Sequence, residues 1–175
     1  MRFVIPAILA AALPSLAAAQ SFDGLSVGGQ LSYGDAETEG PALSGEDVLY
    51  GLRAYYDADL GNFLLGGGLQ YDGSEIDLDG AATIDSVLRL AARAGVAPGD
   101  MYFYGTAGFA QASTSGTADP GDSDGYFIGV GYEDYIADQV TVGAEILYHQ
   151  FNDFDNIDTL EADVTTVGVN VNYRF

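Results

Sequence analysis

Along most of this chain apolar residues recur at every second position, in runs of about ten residues separated by polar stretches. A period of two sends successive side chains to opposite faces of a strand, so each run predicts a strand with one greasy face and one polar face. The last run, 164–175, is the plainest. Thr165, Val167, Val169, Val171 and Tyr173 share a parity that ends on Phe175, and Thr166, Gly168, Asn170, Asn172 and Arg174 share the other. Such a strand belongs between oil and water, where the oil is either a protein core or a lipid bilayer.

Seven further runs precede it, at 25–33, 48–56, 63–71, 84–96, 101–112, 125–136 and 140–151. Their polar parity carries Arg53 in the second, Arg89 and Arg93 in the fourth, Glu133 in the sixth, and Glu145 and His149 in the seventh. Residues 86–94 also suit a helix by propensity, which the alternation and the neighbouring strands outweigh. The fifth run can face either way; the favoured register turns Phe103, Gly105, Ala107 and Phe109 to the apolar side, with Tyr102, Tyr104, Thr106 and Gly108 opposite. Long polar segments at 35–47, 72–83, 113–124 and 152–161 read as acidic, solvated loops, and 57–62, 97–100 and 137–139 as short turns. Eight strands joined alternately by long and short connections leave both chain ends on the short-turn side.

The first residues do not follow the alternation. Met1 and Arg2 precede an apolar run over 3–13, then small residues ending Ala17-Ala18-Ala19, the layout of a secretory signal peptide cut before Gln20. The expected division is a signal peptide over 1–19 and one domain over 20–175. No cysteine is present, which excludes disulfides and thiolate metal sites. Without Arg2 the chain has four arginines and no lysine against 26 acids, a balance that repels nucleic acid and attracts cations. With 48% hydrophobic residues and many Tyr and Phe, the acidity does not imply disorder.

The pattern therefore predicts an all-β, eight-stranded antiparallel up-and-down transmembrane barrel: an even strand number, short turns at one end, long loops at the other, and a polar interior. Tyr33, Tyr50, Tyr71, Phe103, Tyr126, Tyr148, Tyr173 and Phe175 fall at strand ends, where interfacial girdles would lie. A soluble lipocalin-like barrel would show the reverse, an apolar lumen and a polar exterior.

With that layout the chain resembles the small eight-stranded outer-membrane barrels of the opacity-protein and OmpA-transmembrane-like kind, porin-like surface proteins of Gram-negative bacteria. The resemblance spans the mature chain. Its specific part is the ending, where Phe175 with an aromatic two before it, Tyr173, matches the family's assembly signal; Asn170 stands where that signal prefers Gly. The resemblance implies the cell outer membrane as location. It also implies outer-membrane lipid, lipopolysaccharide, periplasmic chaperones and the barrel-assembly machinery as partners.

Arg53, Arg89, Arg93, Glu133 and Glu145 share the inward parity and are expected to form an interior ion-pair network, because a charge in a narrow barrel needs a partner. Sixteen of the 26 acids fall in the four long loops. Glu75, Asp77 and Asp79 look like the start of a calcium loop, but Ser86 stands where the bidentate Glu belongs. Asp119, Asp122 and Asp124 form a similarly weak cluster, so divalent cations are expected to bind loosely and no cofactor is expected. His149, the sole histidine, would have to serve any His-based catalyst, yet barrel-embedded lipid A deacylases, which resemble this chain in size, place Ser two residues on, and here Phe151 stands there. The expected role is non-enzymatic, as a monomeric structural or surface-interaction protein. A narrow-lumen channel is the first alternative, and a lipid-modifying enzyme or a soluble binder lies further off.

Overall fold

The computed structural model describes residues 21–39, 44–78, 82–115, 123–154 and 161–175. They form eight strands: β1 (Gly24–Glu39), β2 (Ser44–Asp59), β3 (Leu64–Leu78), β4 (Ala82–Val96), β5 (Met101–Ser115), β6 (Ser123–Ala137), β7 (Val140–Phe154) and β8 (Glu161–Arg174). Each pairs antiparallel with its neighbours in sequence, and β1 pairs with β8, so the sheet closes into a barrel with no edge. The seam runs from Ser26 opposite Arg174 to Glu39 opposite Glu161. Residues 86–94 are strand, and the signal-peptide segment lies outside the described residues.

The expected facings hold, including that of strand five. Phe103 and Phe109 are exposed on the outer wall, while Tyr102, Tyr104 and Thr106 are buried inside. All eight expected girdle aromatics are exposed.

The strands are longer than their apolar runs. They reach 14 to 16 residues, where about 9–11 span a bilayer. Much of what reads as acidic loop is therefore strand, continuing at the end away from the chain termini. Acidity misleads here because a closed barrel supplies ladder partners whatever the side chains are. On the outer wall the apolar series stops there at a polar ring that includes Asp35, Glu46, Asp85, Gln111, Asp124 and Gln150. At the other end the connections are tight. Gly61 and Gly99 adopt positive φ of 91° and 74°, which a side chain would resist, and the Asp59 carboxylate accepts the Gly61 N–H at 2.7 Å.

Inward glycines make room for the large inward groups. A Cβ at Gly68 would overlap the Tyr55 ring, at Gly131 the Tyr104 ring, at Gly66 the Asp57 carboxylate and at Gly129 the Leu147 side chain. Small residues on one strand opposite large ones on the next let a narrow lumen fill with side chains.

Candidate functional site

The lumen is filled in tiers. At the turn end the segment before β1 folds into the mouth, and the buried Phe22 ring packs against Tyr102 and Tyr135 at centroid distances of 5.2 and 4.8 Å. The Tyr135 hydroxyl donates to the Ser21 carbonyl at 2.5 Å, and the Arg174 guanidinium lies 4.7 Å from the Phe22 ring centre. Leu64 completes this stopper.

Above it lies a square of charges. Arg93 of β4 donates to Asp57 of β2 at 2.8 Å and to Glu133 of β6 at 2.9 Å. From the opposite wall Arg174 of β8 reaches the same two carboxylates, Glu133 at 2.8 Å and Asp57 at 3.3 Å. Every second strand thus contributes one charge in alternating sign, and each cation joins both anions across the lumen. Side chains fixed on opposite walls act as spokes, and charge-assisted bonds of this kind are the strong ones. Tyr55 lies beneath the Arg93 guanidinium at 4.0 Å.

The next tier joins Arg53 to Glu145 at 3.5 Å and to Glu133 at 3.7 Å. The Glu145 carboxylate also accepts from the Tyr104 hydroxyl at 2.9 Å and from the Gln70 amide at 3.1 Å. A third tier forms around Asp72, which accepts from Arg89 and, at 2.7 Å, from Gln30. Arg89 Nε donates to His149 Nε2 at 2.7 Å, and His149 Nδ1 lies 3.0 Å from the Val164 carbonyl. Nε2 must accept and Nδ1–H must donate, so His149 is neutral. Its ring lies between Phe127 and Phe151, stacked on the latter.

The remaining tier is apolar: Leu49, Ile84, Val87, Phe127, Leu147, Phe151 and Val164 fill the lumen at the hairpin end. The polar parity of the sequence suggests a hydrogen-bonded interior throughout, and that holds for only part of the length.

A model of the outer membrane protein beta-barrel domain matches residues 3–175. The chain belongs to that family. As an outer-membrane barrel it resides in the cell outer membrane, with its short turns, Ser21 and Phe175 at the periplasmic side and the opposite strand ends at the extracellular side. Among solved structures it is similar to neisserial surface protein A, with a TM-score of 0.58 and 14% identity over 87% of this chain and 98% of that one. It is also matched to Ail of Yersinia pestis (0.49, 10%, 86% and 99%) and to OprG of Pseudomonas aeruginosa (0.47, 10%, 90% and 99%). At such identities only the fold is shared. No curated protein matches the chain in sequence.

The structure brings Arg53, Arg93, Glu133 and Glu145 into one connected cluster and sets Arg89 apart, paired with Asp72. Asp57 and Asp72, assigned by sequence to a turn and a loop, are buried strand residues at the centre of the lumen. Parity was the missed signal: Asp57 lies two beyond Tyr55, and Asp72 two beyond Gln70. His149 is sealed within the barrel at 1% exposure. Of the acid clusters, the side chains of Glu75, Asp77, Asp79, Asp119 and Asp122 lie outside the described residues, whereas Asp124 accepts from Gln111 at 3.2 Å on the outer wall. Tyr173 and Phe175 meet edge to face at 4.9 Å on the lipid side, and the Tyr173 hydroxyl donates to Gln139 at 2.7 Å.

Proposed function

We propose that this barrel is non-enzymatic and non-conducting, a monomeric scaffold that holds acidic hairpins at the cell surface for structural or adhesive contacts. The observation that carries this reading is the lumen: three tiers of paired polar groups between an aromatic stopper and an apolar tier. A group that must bind substrate or pass ions needs access to solvent, and these groups are buried. His149 has both ring nitrogens engaged within the wall, so it is poorly placed to activate a nucleophile.

On this reading the working surface is the outside. All four arginines of the barrel point inward, where they meet Asp57, Asp72, Glu133 and Glu145, so the charged side chains on the exterior of the described strands are all acidic. Its contact with lipopolysaccharide phosphates then runs through loosely held divalent cations rather than basic side chains. Tyr173 and Phe175, on the lipid face of the closing strand, serve as the signal read by the assembly machinery.

Mass spectrometry of lipid A from matched strains with and without the gene tests the non-enzymatic reading. Identical profiles are expected. Loss of an acyl or headgroup modification in the deletion strain would overturn it.

A further inference from the structure

The charge square has an uneven history, because three of its corners lie on strands whose partners are close in sequence and the fourth lies on β8. Every pairing except one joins consecutive strands; the β1–β8 seam joins the two ends of the chain. Loop-closure entropy makes such a contact the last to form. In the closed barrel Asp57 and Glu133 face each other across the lumen, and Arg93 and Arg174 are the two cations joined to both.

We propose that Arg174 is the latch of barrel closure: its entry between Asp57 and Glu133 is the event that commits the β1–β8 seam. Four contacts made by this one residue carry the inference. Its guanidinium neutralises the square, bonding carboxylates on β2 and β6. The same group donates to the Phe22 carbonyl at 2.7 Å, tying the segment before β1 to the end of β8. Its backbone N–H donates to Gln139 at 2.8 Å, and the next N–H, of Phe175, donates to Leu25 at 3.0 Å across the seam. Arg174 thus meets β2, β6 and the segment before β1 through its side chain and the turn before β7 through its backbone. With the latch seated, the lumen holds four carboxylates and four guanidiniums. Arg93, its mirror image in the square, lies on β4, far from the seam, and provides the control.

The chain has no cysteine, so cross-strand disulfides report single pairings cleanly. Leu31→Cys with Val169→Cys reports the seam, and Ala92→Cys with Ala107→Cys reports β4–β5; each pair is in register on the outer wall. The mature chain is refolded from urea into detergent micelles and crosslinking is followed over time. Arg174→Gln is expected to slow the seam crosslink at least tenfold while leaving the β4–β5 crosslink within twofold. Arg93→Gln is expected to slow the β4–β5 crosslink at least as much as the seam. Adding Asp57→Asn to Arg174→Gln rebalances the lumen and restores the seam rate, and it decides the matter where Arg174→Gln alone does not fold. Equal slowing of both pairs in a population that folds, no slowing of either, or failure of the double variant to recover the seam would overturn the latch.

Discussion

The two halves of the lumen solve the same filling problem with opposite chemistry. The periplasmic half is a lattice of charges in which Glu133 alone meets Arg53, Arg93 and Arg174, whereas the extracellular half is a cluster of Leu, Ile, Val and Phe around the Phe127–His149–Phe151 stack. A lattice of buried charges is sensitive to the loss of one member, because every partner is left with an uncompensated charge. An apolar cluster is graded, losing stability in proportion to the volume removed. The charged half therefore specifies which strands meet, and the apolar half provides bulk.

Glu133→Gln is the change expected to separate the halves most widely. It leaves three guanidiniums short of a carboxylate and should lower unfolding free energy by about 3–5 kcal/mol, read from urea titration of the heat-modifiable gel band. A loss no larger than that of a surface variant would erase the distinction. Phe127→Ala in the other half should cost roughly 3 kcal/mol in the same assay, and half of that should return with Leu in place of Ala. Gly68→Ala comes next. Its methyl meets the Ala54 carbonyl and the Tyr55 ring, so about 1–3 kcal/mol is expected, with relief when Tyr55→Leu is added. Asp124→Asn on the outer wall marks the floor, within about 0.5 kcal/mol of wild type.

The sequence alternation carried the barrel almost whole: strand number, facings, girdles and closure follow from counting by two, since lipid outside and a packed lumen inside enforce parity over the full span. It was less informative about where strands end. Asp35 and Glu46 read as loop because acids are disfavoured in strands, yet ladder pairing carries the backbone through them. The lumen was half legible. Arg53, Arg89, Arg93, Glu133 and Glu145 announced themselves as charges on the polar parity, but which met which depends on the stagger of the closed sheet, which no single strand records. That is why Arg89 fell outside the main cluster, and why Asp57 and Arg174 emerged as corners of the square only in the closed structure. Phe22 gave no signal at all, since it stands before the first strand and acts only once the mouth exists.

Whether the lumen is closed to ions is read in planar-bilayer recording of the refolded mature barrel. No discrete conductance steps above the baseline of the membrane are expected in molar salt, for wild type and for Phe127→Ala alike, because the charge square below stays shut. Steady single-channel steps in the wild-type protein, changed in size by Arg53→Gln or Glu145→Gln, would contradict it.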